Sequence, residues 1–384
     1  MTIKNLSKLG NRIKKAIQLK ERVILYGDGD LDGITSVIIL KETIEKLGGK
    51  ITTIYFPNRE KEGYGITDRA LYHLKKFTPA LFIVLDMGMN NLQKLEKAKK
   101  LGFEVAIIDH HEIVSKIPKD YIVVNPKQKN DKYPFKHLST VGLTFKLSQL
   151  ILKNQLSEEI ERKFLQLVTI ATIADMMPQK GENKILINKG KKILSQSPLL
   201  SISAFFKLKQ FRKLRLEDKI HKLISVLNVR EVKNNLPISF FFLQETSLSK
   251  VNTIIKKLLK KHQERKEKME QMMTFIEKNS FPAEPILFLG KESFEYPLVP
   301  QIASKLCQRY KKPVFIFKKR KGESIGSVRS PSGVNVVELM KKCSQYLLSF
   351  GGHPFAGGFR IKTKCLKDFK KCLISNYEKT YHLH

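Results

Sequence analysis

The stretch Arg22-Val23-Ile24-Leu25-Tyr26 runs straight into Gly27-Asp28-Gly29-Asp30-Leu31-Asp32-Gly33. Its first half is β-branched and apolar and reads as a buried strand. Beyond Gly33 the apolar residues recur at helical spacing as far as Leu47. Between the two lie three carboxylates at alternate positions, in a loop that leaves a sheet. The same order repeats along the first third of the chain. Strands are predicted at 22–26, 51–56, 81–85, 104–108 and 121–124, with helices at 33–47, 66–76 and 90–101 between them. Such alternation specifies an α/β fold with an open parallel sheet covered on both faces. Helices at 140–153 and 157–174 complete this part.

Outward from that core the composition changes. From about 190 to 280 strand signals fade. Val251, Ile255, Leu258, Met272 and Ile276 keep three-to-four spacing through a run that holds Lys256, Lys257, Lys260, Lys261 and Arg265. One packed and one solvated face make this a connecting helix, and its charge leaves open a nucleic-acid rail. A second, smaller α/β unit follows, with strands at 286–289, 314–317 and 324–328, helices at 298–309 and 334–345, a glycine-rich loop at 350–359 and a last helix at 367–376. The expected domains are therefore 1–190, 191–280 and 281–384.

Within 384 residues, 71 Lys and Arg against 36 Asp and Glu leave a formal charge of +35. A surplus of this size seeks a polyanion, nucleic acid first. Only 13 of the basic residues are Arg, so part of the excess can reflect a general Lys bias. The longest apolar runs, at 37–40 and 81–85, are far shorter than the ~18 residues of a membrane helix. Residues 1–20 have no signal-type apolar core and read as a surface helix. Cys307, Cys343, Cys365 and Cys372 form no CxxC pair and read as reduced packing residues, which places the protein in the cytoplasm with no membrane partner.

The chemistry is concentrated in the few acids. Asp28, Asp30 and Asp32 cannot all be ionised cheaply without a cation. An EF-hand would need Glu where Ile39 stands, and a dinucleotide loop would press acid on a pyrophosphate. Asp86 ends the second long apolar run, Asp109-His110-His111 ends the next, and Asp175 follows a helical apolar run. Strand ends of a parallel sheet face one crevice, so these groups converge. Each alone reads as a cap or a packed histidine; together they read as a metal site. Carboxylates with His and no thiolate select Mn²⁺ or Mg²⁺, and so many suit two ions roughly 3.5–4 Å apart, the arrangement that hydrolyses phosphate esters.

In order and context, residues 28–33, Asp86, Asp109-His110-His111 and Ala174-Asp175 resemble the four motifs of the DHH phosphoesterase superfamily. Residues 349–358 resemble the glycine-histidine-glycine signature of the DHH-associated C-terminal domain. Pro57-Asn58-Arg59, Val124-Asn125-Pro126, Leu138-Ser139-Thr140-Val141-Gly142 and Glu182-Asn183 are similar to phrases of its RecJ branch, the single-strand-specific exonucleases. The resemblance implies an open parallel-sheet DHH domain, a helical linker and a smaller α/β domain that forms an interdomain cleft. It implies Asp30, Asp32, Asp86, His110 and Asp175 as ligands of two Mn²⁺ or Mg²⁺ ions, with Asp28 either a ligand or a neighbour that holds one. His111 would face the phosphate and Asp109 would orient the His pair. His353, between Gly351-Gly352 and Gly357-Gly358, would lean onto the scissile phosphate. Arg59 and Arg329 would clamp phosphates and Tyr64 would stack a base. The implied activity is hydrolysis of single-stranded nucleic acid to mononucleotides, 5′ to 3′, with replication or repair proteins as partners. A dinucleotide or oligoribonucleotide phosphodiesterase and a non-catalytic replication scaffold remain as alternatives. The branch's oligonucleotide-binding barrel has no counterpart in these residues, its linker phrase is reduced to Asn228 and Arg230, and the phrase that opens its C-terminal domain is absent, with Ser293 to Pro297 in its place.

Overall fold

A computed structural model describes residues 2–59, 62, 63, 65–89, 91–113, 117, 118, 120–229, 232–279 and 284–381, the side chains of Lys233 and His353 excepted. Strand β1 (Val23–Gly27) lies between β2 (Thr53–Tyr55) and β3 (Ala80–Leu85), and β4 (Phe103–Ile108) and β5 (Ile122–Val124) continue the sheet in the order β2-β1-β3-β4-β5, all parallel. Alternate residues of each strand feed two cores. Leu25, Ile83 and Ile108 point to one, while Ile24, Phe82, Val84 and Ile107 point to the other. Strands buried on both faces need continuous apolar runs, which is why these segments carry no polar alternation.

The larger core is covered by α1 (Leu6–Gln18) and α2 (Leu31–Lys46), the opposite one by α3 (Asp68–Leu74) and α4 (Leu92–Lys100). The expected surface helix at the N-terminus is α1, and it buries Leu6, Leu9, Ile13 and Ala16 on one side. Helices α5 (Thr140–Leu152), α6 (Glu158–Ala174), α7 (Gly181–Gln196), α8 (Leu200–Phe206) and α9 (Leu216–Leu227) add to the same core, as does α10 (Ile238–Gln244) after the short hairpin β6 (Val232–Lys233) and β7 (Leu236–Pro237).

The chain divides into two compact units, Met1–His262 and Gln263–His384. The division falls within α11 (Leu248–Asn279), whose Val251, Ile255 and Leu258 are buried in the first unit's core and whose Met272 and Ile276 are buried in the second's. Among the described residues no helix is long and apolar enough to cross a membrane.

The second unit holds β8 (Leu287–Lys291), α12 (Val299–Tyr310), β9 (Val314–Lys318), β10 (Glu323–Arg329), α13 (Val336–Lys342), β11 (Leu347–His353), β12 (Ala356–Lys362) and α14 (Leu366–Tyr381). Its sheet order is β11-β12-β10-β9-β8, parallel only between β8 and β9. Two sequence expectations change here. The glycine-rich segment 350–359 is a β-hairpin rather than a loop, with Gly351 opposite Gly358 and Gly352 opposite Gly357. Glycine lowers strand propensity, but a Cβ on Gly352 would lie 2.3 Å from the Ala356 carbonyl oxygen, so the close approach of the strands requires it. Cys343 and Cys372 are joined as a disulfide rather than reduced, because the end of α13 and the face of α14 bring their Cα atoms to 6.0 Å. Cys307 and Cys365 are free.

Candidate metal centre at the strand ends

Each acid at a strand end is fixed by the neighbouring strand. The amide of Asp28 donates to the Leu85 carbonyl (3.2 Å), that of Asp86 to Ile108 (2.9 Å) and that of Asp109 to Val124 (3.1 Å). The ladder thus runs one residue past β1, β3 and β4, and their three carboxylates emerge together at the carboxyl edge. Asp86 takes a left-handed backbone, φ +65°, an unfavourable state for most side chains but one that Asp tolerates and that recurs at functional sites. Gly33 closes the first loop: a Cβ there would lie 2.4 Å from the Asp28 carbonyl oxygen. Asp30 caps α2 by accepting from the Gly33 amide at 3.2 Å.

Helices supply the rest. Asp32, in the first turn of α2, accepts from the Thr140 and Val141 amides at the start of α5, both at 2.8 Å. The free amides of a helix N-terminus are suited to a carboxylate. The Thr140 hydroxyl donates to Asp86 at 3.0 Å, and Asp175 ends α6. His110 Nε2 then lies 3.3 Å from Asp175, 3.5 Å from Asp86 and 3.8 Å from Asp32.

The electrostatics are those of a site built for cations. Burial, then Asp30, raises Asp28 to about 6, with Arg59 opposing. Burial raises Asp32 to about 7, and burial with Asp32 and Asp30 raises Asp175 to about 8. Asp86 is displaced upward as well, by burial and by Asp32. Among the described residues three sets of side chains bring ligand atoms within 4.8 Å of one another: Asp86 with His110 and His111, Asp32 with His110 and Asp175, and Asp28 with Asp30 and Asp86. Asp86 and His110 each belong to two of these sets. Both ring nitrogens of His110 and Oδ2 of Asp175 are buried without a hydrogen-bond partner, which fits groups kept for a metal ion.

The two histidines are driven apart. Burial and the neighbouring His111 lower His110 to about 4, so its ring is neutral and can act as a ligand. For His111 burial works against the charge, but the bond between its Nδ1 and Asp109 Oδ1 (2.7 Å) raises it to about 9. Asp109 also accepts from the His110 and His111 amides and from Met89, so its charge is spread over four donors. Asn125, fully buried, donates to the His111 carbonyl at 2.9 Å.

The structure therefore brings Asp28, Asp30, Asp32, Asp86, Asp109, His110, His111 and Asp175 together. Arg59 joins them through Asp28 and Asp30, bonded to both carboxylates. Tyr64 lies outside the described residues. Arg329 is in β10 of the second unit, where its guanidinium donates to Ser304 (3.1 Å), Ser327 (2.9 Å) and the Val328 carbonyl (2.7 Å). His353 ends β11 with its backbone alone described, and Gly351, Gly352, Gly357 and Gly358 occupy the hairpin. Sequence reasoning missed the parts played by Thr140, Val141 and Asn125. A Ser-Thr pair ahead of an apolar run is an N-cap signal and marks α5, but not which carboxylate its amides receive.

A family model described as the DHH family, N-terminal domain, matches residues 22–172, and one for the DHHA1 domain matches residues 285–379. The chain is 32% identical over 379 residues to the single-stranded-DNA-specific exonuclease RecJ of Bacillus subtilis, covering 97% of this chain and 47% of that protein. It thus spans about half the length of that relative, and 65% of the Escherichia coli RecJ, to which it is 26% identical over 376 residues. In fold it is similar to a crystal structure of exonuclease RecJ bound to manganese, with a TM-score of 0.83 and 22% identity over 99% of this chain and 96% of that one.

Proposed function

The chain belongs to the DHH family, with a DHH N-terminal domain followed by a DHHA1 domain, and from this we propose that it is a metal-dependent phosphodiesterase that degrades single-stranded nucleic acid to mononucleotides from the 5′ end. The observation that carries the reading is the convergence of five aspartates and two histidines at one sheet edge, in overlapping ligand sets, within a chain of charge +35. The relatives, single-stranded-DNA-specific exonucleases by name, supply the substrate class.

In this reading Asp28, Asp30, Asp32, Asp86, His110 and Asp175 hold two Mn²⁺ or Mg²⁺ ions. When bound, such ions supply Lewis-acid polarisation of the phosphate and charge neutralisation of the departing oxygen. The chain's own residues do the positioning. The α5 amides fix Asp32, Arg59 aligns Asp28, and the strand ladder sets Asp86. His111, held protonated by Asp109 at Nδ1, keeps Nε2 for a non-bridging phosphate oxygen and the charge that develops there. Arg329 and the hairpin with His353 are assigned to the substrate strand, and the basic surplus to its capture at a distance.

Digestion of 5′- and 3′-end-labelled single strands, DNA and RNA in parallel, with Mn²⁺ and with chelator, tests metal dependence, sugar preference and direction together. Release of labelled mononucleotide first from the 5′ end, only with metal, is the expected result. Binding without hydrolysis, or hydrolysis that survives chelator, would overturn the reading.

A further inference from the structure

Met176 follows Asp175 directly and is the most exposed large apolar side chain among the described residues, 89% accessible. It stands in a left-handed conformation, φ +53°. Its amide donates to the Ile173 carbonyl at 3.1 Å and the Met177 amide to the Thr172 carbonyl at 3.2 Å, the pair of bonds that closes α6. Helices that close in this way favour glycine at this position, because any Cβ is crowded there. The other non-glycine residues with positive φ among those described are Asn, Asp or Lys, which tolerate the conformation or are solvated. Met176 alone combines the strained backbone with an apolar, solvent-facing side chain.

The segment that carries it is anchored. Asn183 is buried, and its Nδ2 donates to the Pro178 carbonyl (3.1 Å) and to the His137 carbonyl (2.7 Å). That one amide ties the segment after Asp175 to the segment that leads into α5, whose first amides hold Asp32. The methionine is thus exposed on an anchored stretch of backbone, directly after Asp175, one of the carboxylates of the site.

We propose that Met176 is an apolar platform for the base of the nucleotide next to the scissile phosphate, a substrate-binding element of the site that rests on the function proposed above. A thioether side chain packs favourably on an aromatic ring, and a contact with the face of a base is indifferent to which base it is. Such a contact suits an enzyme that removes one nucleotide after another without regard to sequence.

The test compares Met176→Gly and Met176→Leu with the unaltered chain on two single strands, one complete and one whose terminal unit at the attacked end is abasic. Glycine suits the backbone, so the thermal midpoint and calorimetric Mn²⁺ affinity stay unchanged or rise. On the complete strand Met176→Gly raises KM and lowers kcat/KM about 2- to 10-fold, the scale of one sulfur–aromatic contact. Met176→Leu restores most of the loss, and all three proteins treat the abasic end alike. Equal loss on both strands, no loss on either, or weakened Mn²⁺ binding in Met176→Gly overturns the inference. If the unaltered chain cuts neither strand, the proposed function itself fails and the inference falls with it.

Discussion

Replacing Asp175 with Asn will make the metal-free protein more stable while removing the metal-dependent activity proposed for it. Asp175 is raised from 3.8 to about 8, first by burial and then by Asp32 and Asp30. A group whose pKa is higher folded than unfolded contributes stability that is present below the unfolded value and is lost as pH rises through the folded one. At pH 7 the folded protein must take up a proton that the unfolded chain does not hold, and roughly three pH units at about 1.4 kcal/mol each give a cost of ~4 kcal/mol. At pH 5 the same reckoning gives ~1.5 kcal/mol. The side chain is 29% exposed and shares its charge with Asp32, so about half of each figure is the better expectation, about 2 kcal/mol at pH 7 and under ~1 kcal/mol at pH 5. Asparagine never ionises, and Oδ2 of Asp175 accepts no hydrogen bond that the exchange would break. Urea unfolding in chelator at pH 5 and pH 7 measures both differences. With Mn²⁺ at about a hundred times its dissociation constant the unaltered protein gains ~2.7 kcal/mol and the variant much less, so the order of stability narrows or inverts. A variant less stable than the parent in chelator, or one whose advantage does not grow with pH, would refute the reasoning.

Three further outcomes follow from packing. Gly33→Ala places a Cβ 2.4 Å from the Asp28 carbonyl oxygen and displaces the first acid loop; calorimetry should show weakened Mn²⁺ binding, and hydrolysis should fall about 100-fold, the cost of a misplacement near 1 Å. Asn125→Ala removes the bond to the His111 carbonyl and the one accepted from the Lys127 amide, both 2.9 Å, so denaturant unfolding should show a loss of about 2–3 kcal/mol. Phe359→Ala takes a buried ring from between Phe315, Phe317 and Phe369 and should destabilise the second unit by about 3–5 kcal/mol, read from tyrosine fluorescence during unfolding.

The reach of sequence reasoning differs from element to element. The strand expected at 81–85 is observed as Ala80–Leu85 and the one at 104–108 as Phe103–Ile108, because strands buried on both faces need nearly continuous apolar runs, broken here only at the exposed Glu104. The segment 350–359 misleads for the opposite reason. Its glycines carry no packing signal, and only pairing between distant backbones makes it a hairpin. Cys343 and Cys372, 29 residues apart, likewise meet only because α13 and α14 are packed together. Arg59 reads as a phosphate clamp because a guanidinium fork suits a phosphate, and only the folded chain adds the bonds of that guanidinium to Asp28 and Asp30.

The sequence by itself determined the α/β class and the acids that end the strands. Both are local in origin, the one a period in hydrophobicity and the other a carboxylate with no apolar reason to be there. What each acid does was decided by tertiary structure alone. His110 and His111 are neighbours in the chain, yet one is driven down to about 4 and the other up to about 9. Burial lowers the first, and the second is held by Asp109, itself fixed by the ladder to β5. A pKa is set by what surrounds a group in space, and those surroundings are drawn from α2, α5, α6 and three strand ends whose adjacency no stretch of sequence contains.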